Sequence, residues 1–342
     1  MIFVTMLFTL LLILVAAEIF CNALEHLGER LKISEGVVGS LFAAVGTALP
    51  ETMVPILAIF AGTDNMELNH EIGVGAILGA PLMLSTLTLF LLLVATVKTR
   101  GLQGHFTPEK TGLTRDLNFF LGAFTLAGIA LFIPRDYDVI RIAIGFGLVL
   151  LYFVYILLTL RASSKLVQDG HATAAHGAML LCRLGLPLNF PVIYLQLGLG
   201  LTLLILGAKG FIHGIEEVAP IIGISALLLS LLIIPIATEL PEKVNSILWI
   251  RKRKDTLAFG NITGAMVFQS TLLPAIGIML TPWGPRLDVA LGVLVTLAAA
   301  LWIRLMIQRG QLRVWHVAVN GVLYVSYIAV VLNLSPSGPV AG

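Results

Sequence analysis

Apolar residues in this chain come in blocks of roughly 20, the length a helix needs to cross ~30 Å of hydrocarbon, separated by short polar stretches. In the first half the blocks fall at about 2–24, 35–62, 71–97, 117–133 and 138–160. In the second half they fall at about 191–213, 222–250, 256–280, 287–307 and 315–333. Ten spans in two sets of five are predicted. Composition agrees, with 58% apolar residues, 12% charged residues and a mean hydropathy of +0.99, values that a water-soluble domain does not reach. The expected fold class is an all-α polytopic membrane protein.

Lysine and arginine fix the expected orientation, because cytoplasmic loops retain positive charge. With the N-terminus outside, fifteen of the 21 basic residues fall in inside loops, and Arg135 and Arg286 fall outside. The other four, Arg141, Lys209, Lys243 and Arg304, lie within spans. Both termini are therefore expected to be extracytoplasmic. The absence of a basic leader and a small-residue cleavage site makes 2–24 a retained span. The run Arg251-Lys252-Arg253-Lys254 is expected to be a stop-transfer loop. The net charge of +2 follows the topology and forms no nucleic-acid face, so membrane lipid is the expected surroundings.

Polar residues inside the blocks change the picture most. Thr47-Ala48-Leu49-Pro50-Glu51 and Thr238-Glu239-Leu240-Pro241-Glu242 interrupt two apolar runs at matching places. Aligning them without a gap also brings Glu25 onto Glu216 and Ile33-Ser34 onto Ile224-Ser225. Further on, Gly75-Ala76-Ile77-Leu78-Gly79-Ala80 matches Gly260-Asn261-Ile262-Thr263-Gly264-Ala265. The halves read as a duplication: residues 1–160 form the first five-helix repeat, 161–190 a cytoplasmic linker, and 191–342 the second repeat. Five is odd, so the second repeat enters the membrane inverted. Inverted repeats with broken helices are a transporter architecture.

Proline removes a backbone donor and leaves nearby carbonyls without helical partners. At membrane depth such carbonyls persist only where a cavity, water or a cation satisfies them. A threonine hydroxyl before each proline and a glutamate after it, contributed from both repeats, make a cage of hard oxygens suited to calcium or sodium. Glu51 and Glu242 together would neutralise one divalent ion. Without an ion they would repel, which is the minimal chemistry of counter-transport.

These segments, Gly46 to Glu51, Ala237 to Glu242 and Gly260 to Ala265, resemble the alpha repeats of the sodium/calcium exchangers in the calcium:cation antiporter superfamily. The resemblance implies exchange of Ca2+ against Na+ or H+ by alternating access, with small inorganic cations as partners, no cofactor, and a bacterial or archaeal inner membrane as the location. It makes Glu51 and Glu242 the central metal ligands, with Thr47 and Thr238 contributing hydroxyl or carbonyl oxygens; Glu239 and Asn261 beside them are further expected cation-binding residues. The chain departs from the family pattern at Ala48, Ala76, Ala80, Leu84 and Ala265, where polar residues are usual. It adds Glu239, Lys243 and Gln269, assigned to coupling or pH sensing. Lys243 is open to three readings: a coupling role, a pair with Glu239, or snorkelling along the outer face of its span. A second functional reading is a transporter of the same fold with a drifted substrate, another divalent metal or a cationic solute, proton-coupled and sodium-independent.

An enzyme or ATP-driven pump is not expected. There is no P-loop pattern, and His70-Glu71 lacks a second histidine at metalloprotease spacing. Cys21 and Cys182 sit at no ligand spacing, and Asp169, His171 and His176 lie in the linker. Gln196, Asn118 and Ser230 are expected to bond between helices, and the glycine pairs 145/147 and 198/200 to allow close packing.

Overall fold

A computed structural model describes residues 2–30, 49–167, 178–310 and 312–334. Thr47, with the rest of the first pentapeptide before Leu49, and the linker residues Asp169, His171 and His176 lie outside the described residues. Twelve helices make up the described chain: α1 (Ile2–Arg30), α2 (Leu49–Ala61), α3 (Met66–Arg100), α4 (Lys110–Ala130), α5 (Asp138–Val167) and the short α6 (Leu180–Arg183). They continue with α7 (Phe190–Ile222), α8 (Ala226–Thr238), α9 (Leu240–Arg251), α10 (Asp255–Leu280), α11 (Leu287–Gln308) and α12 (His316–Leu334). Among the described residues, seven helices are long and apolar enough to cross a membrane: α1, α3, α5, α7, α10, α11 and α12. Helix α4 carries Arg115, Asp116 and Asn118 in its first half, α2 is short, and α8 and α9 are two pieces of one interrupted span.

Several expected boundaries shift for identifiable reasons. The block at 222–250 is two helices, because the chain leaves helical geometry at Glu239. Helix α7 runs on past residue 213 to Ile222, where Gly223 ends it at φ +77, a conformation glycine adopts without strain. Helix α4 starts at Lys110, ahead of the expected 117, because the Glu109 carboxylate accepts hydrogen bonds from the Thr111 and Gly112 amides. Helix α5 extends to Val167, so the first residues of the expected linker are helical.

The two halves exchange partners as an inverted pair requires. Helices α1 and α7, the first of each repeat, pack together and run antiparallel. Gly200 meets Phe20, Gly207 meets Ile13, Gly210 meets Thr9 and Gly214 meets Met6. The third helix of each half, α3 or α10, packs against the fourth and fifth of the other: α10 on α4 and α5, α3 on α11 and α12. Helices α3 and α10 form the centre, with 72% and 67% of their apolar windows buried, against 22% and 17% for α1 and α5. Helix α5 turns Val139, Ile142, Phe146, Leu150, Phe153 and Leu157 outward, a surface suited to lipid.

Ion pairs clasp opposite ends of this centre. At the end of α3, Arg100 makes a two-pronged pair with Asp255 at the start of α10, at 2.7 and 2.8 Å, and also donates to the Ile250 carbonyl. On the same side, β1 (His105–Phe106) pairs antiparallel with β2 (Leu312–Arg313). At the other end Arg286 pairs with Glu71 and Asp288 and donates to the Ser225 hydroxyl at 3.0 Å. The loops brought together at each end are those that a ten-span path puts on one side.

Candidate functional site

The second-repeat motif is built at the junction of α8 and α9. Pro235 and Pro241 have no N–H to give, so the helical ladder is thinned on both sides of the break. Glu239 takes φ −97 and ψ 11, its amide bonding the Pro235 carbonyl at 3.3 Å. The Thr238 hydroxyl is spent on the Ile234 carbonyl of its own helix. The first-repeat motif places Glu51 in the first turn of α2.

The four charged residues of the two motifs are buried together: Glu51 is 4% exposed, Glu239 0%, Glu242 3% and Lys243 5%. Glu51 feels the charges of Glu242, Glu239 and Lys243, so the two repeats meet at one cluster. Both carboxylate oxygens of Glu51, both of Glu239 and one of Glu242 have no hydrogen-bond partner among the described residues. Buried carboxylates are costly unless a cation compensates them, so this cluster is a place built to hold positive charge. Among the described residues, no three His, Cys, Asp or Glu side chains form a ready-made metal cage. What stands beside the carboxylates is the Lys243 ammonium, 3.8 Å from Glu239. It donates to the Pro235 carbonyl at 2.7 Å and contacts the Met83 sulfur at 2.9 Å. Its burial overturns the snorkelling reading.

The other expected residues take varied positions. Gln269 of α10 lies beside Glu239, and its amide oxygen has no partner among the described residues. Asn261 is next to Glu242 but through its donor side, bonding the Glu242 carbonyl at 3.1 Å and the Ser246 hydroxyl at 3.0 Å. It thereby holds the first turn of α9 against α10. Gln196 bonds Asn22 and the Ile19 carbonyl of α1, and Asn118 accepts from Arg304, as expected of helix-to-helix bonds. Ser230 bonds within its own helix, to the Leu227 carbonyl. Of the glycine pairs, Gly145 packs against Met279 and Gly200 against Phe20, while Gly147 and Gly198 face open space.

Two site neighbours escaped the sequence reading. A π-helical turn at Leu84–Thr88 follows Met83 and loosens the backbone bonding of α3. Asn320 of α12 donates to the Ser85 carbonyl in that turn at 2.7 Å. One helical turn further along α12, Tyr324 is an electrostatic neighbour of Glu239. The signal was present as an asparagine and a tyrosine four apart in an otherwise apolar last span.

A family model described as sodium/calcium exchanger protein matches residues 1–161 and 192–333. The chain belongs to this family. As an exchanger it is a cation antiporter, with inorganic cations as its substrates, and not an enzyme. It is 26% identical over 273 residues to the inner membrane protein YrbG of Escherichia coli strain K12, covering 80% of this chain and 78% of that one. Among solved structures, the H+/Ca2+ exchanger CAX superposes with a TM-score of 0.72 at 18% identity, over 96% of this chain and 82% of its own. The sodium-calcium exchanger NCX_Mj, soaked with Na+ and Sr2+, gives 0.57 at 18% identity, over 96% and 99%. These likenesses show that the fold is the exchanger fold.

Proposed function

We propose that this exchanger carries Ca2+ or a similar divalent cation in one direction and Na+ or H+ in the other, by alternating access at the carboxylate cluster. The observation that carries the reading is the meeting of Glu51 and Glu242, one from each inverted repeat, in a buried cluster where both oxygens of Glu51 and one of Glu242 have no hydrogen-bond partner among the described residues. Two carboxylates match the charge of one divalent ion, and hard oxygens match its chemistry. Emptied of cargo, the same oxygens need other positive charge before the site can cross the membrane interior, which couples the two fluxes. Thr47, Thr238 and Asn261 belong to the ligand set in this reading, through hydroxyl or carbonyl oxygens. The protein sits in the inner membrane of a bacterial or archaeal cell with both termini outside.

The second reading, proton coupling without sodium, is favoured by Lys243, a fixed ammonium inside the cluster 3.8 Å from Glu239. Purified protein in liposomes with a trapped calcium dye separates the two. A pH gradient that drives Ca2+ uptake supports the second reading, and a sodium gradient that does so while the pH gradient is ineffective rejects it. Failure of both gradients to move Ca2+ or a competing divalent metal would remove the proposal altogether.

A further inference from the structure

The second copy of the motif carries three polar residues that the first lacks. Glu239, Lys243 and Gln269 stand where the aligned first repeat has Ala48, Thr52 and Leu84. The three are neighbours in space, with Lys243 one helical turn after Glu239 and Gln269 reaching it from α10.

The Lys243 ammonium is held as a small cation would be. A backbone carbonyl beside a helix break lies at 2.7 Å, a thioether sulfur at 2.9 Å and a carboxylate oxygen at 3.8 Å. Its charge is felt by Glu239, Glu242 and Glu51, the whole acidic cluster. No other Lys or Arg among the described residues acts on Glu51, Glu239 or Glu242.

We infer that the Lys243 ammonium is a built-in monovalent cation of the transport site, occupying beside Glu239 the place of an ion that would otherwise be taken from solution. The inference rests on the reading of Glu51 and Glu242 as the cargo carboxylates. Three ionised carboxylates and one ammonium leave two negative charges, the charge of one divalent ion. Glu239 with Lys243 is then neutral throughout the cycle, and the number of mobile counter-ions is set by Glu51 and Glu242 alone. A fixed scaffold pair with no part in ion binding would have the same geometry, but removing its lysine would only protonate the stranded Glu239 and would create no sodium site.

The test is equilibrium binding to the full-length protein in detergent at constant pH, with Ca2+ as the divalent probe. Monovalent ions are counted with radioactive sodium and by proton release into weak buffer. Lys243→Met is expected to bind one more sodium ion per protein than the wild type, in competition with protons, and Lys243→Arg the same number as the wild type. Glu239→Gln leaves the ammonium unbalanced beside the cargo carboxylates and is expected to weaken Ca2+ binding at least tenfold. The double variant Glu239→Gln/Lys243→Met is expected to restore it. An unchanged sodium count in Lys243→Met, or unchanged Ca2+ affinity in Glu239→Gln, overturns the inference. If Lys243→Met does not fold, the Glu239→Gln and double-variant arms decide. Absence of Ca2+ binding by the wild type would instead overturn the proposed cargo, while the monovalent count would still report on Lys243.

Discussion

The two copies of the broken-helix motif share a fold and differ in chemistry. Each carries a proline followed by a buried glutamate in the first turn of a helix, Glu51 in α2 and Glu242 in α9, and each is backed by a glycine-spaced central helix, α3 or α10. Only the second adds a further carboxylate, a lysine and a glutamine. Inversion needs the shared part, since each repeat must present the same surface to its partner for the site to open to either side. The unshared part is free of that requirement. The symmetric residues are thus assigned to carrying cargo and the asymmetric ones to choosing which ions accompany it.

The strongest way to break this division is to neutralise one symmetric carboxylate. Glu51→Gln leaves Glu242 and Glu239 facing Lys243 with too little negative charge for a divalent ion. Loss of one partner from a buried charge site costs about 3–5 kcal/mol, or more than a hundredfold in affinity. Divalent flux in proteoliposomes should fall to background, and Glu242→Gln should do the same. Near-normal flux in either variant would show that the symmetric pair is not the cargo site.

The clasps at the two ends of the molecule extend the comparison to stability. Arg100 and Asp255 are 7% and 3% exposed in their side chains, whereas Arg286 and Glu71 are 39% and 27% exposed. Burial keeps water from replacing the lost partner, so Arg100→Ala strands Asp255 and is expected to cost about 3–5 kcal/mol. Arg286→Ala should cost about 1 kcal/mol or less, because exposed pairs are screened. Thermal unfolding of the detergent-solubilised variants measures both. Equal losses would mean that the two ends are equally tight and that the difference in burial has no energetic consequence.

Much of this was legible in the chain because membrane depth makes polar residues conspicuous. Glu51, Glu242, Glu239 and Lys243 stood out within apolar runs and are the residues that meet. Their partners were not legible, because contact across helices depends on rotation and register that apolar blocks do not encode. The blocks specify how long a span is but not which face turns inward. Asn261 shows the limit: its place beside Glu242 followed from the repeat, yet its amide bonds a carbonyl and Ser246 instead of presenting oxygen through that contact. Helix α7 outruns its apolar block at 191–213 because Glu216 and Glu217, just past the block, both contact His213 on a continuing helix. The π-helical turn in α3 has no marker in Leu84–Thr88 that distinguishes it from ordinary helix.

A smaller effect tests whether α12 belongs to the asymmetric half of the site. Tyr324 is an electrostatic neighbour of Glu239, so Tyr324→Phe should change Ca2+ affinity by only a few-fold. The shift should disappear in the Glu239→Gln background, where the partner charge is gone. A shift of equal size in that background would place the tyrosine's influence on Glu51 or Glu242 instead.

The last effect lies outside the site, at the starts of the fourth helix of each repeat. Helix α4 is capped by Glu109, whereas in α11 the Asp288 carboxylate in the first turn accepts from the Val289 amide and is shared with Arg286. Burial raises the affinity of the Glu109 carboxyl for protons, but the Gly112 and Thr111 amides outweigh it and hold the group below its ordinary value. A depressed carboxyl adds stability that is fully present above its unfolded value and is lost as pH falls through the folded one. The acid limb of unfolding, below about pH 4, should therefore flatten in Glu109→Ala, with a loss near neutrality of about 0.5–2 kcal/mol, the usual worth of such a cap. The equivalent change at Asp288 removes a partner of Arg286 as well as an amide acceptor, so its effect should diminish with added salt while that of Glu109→Ala persists. A salt-sensitive Glu109 variant would mean that its contribution comes from Arg115 nearby and not from the amides.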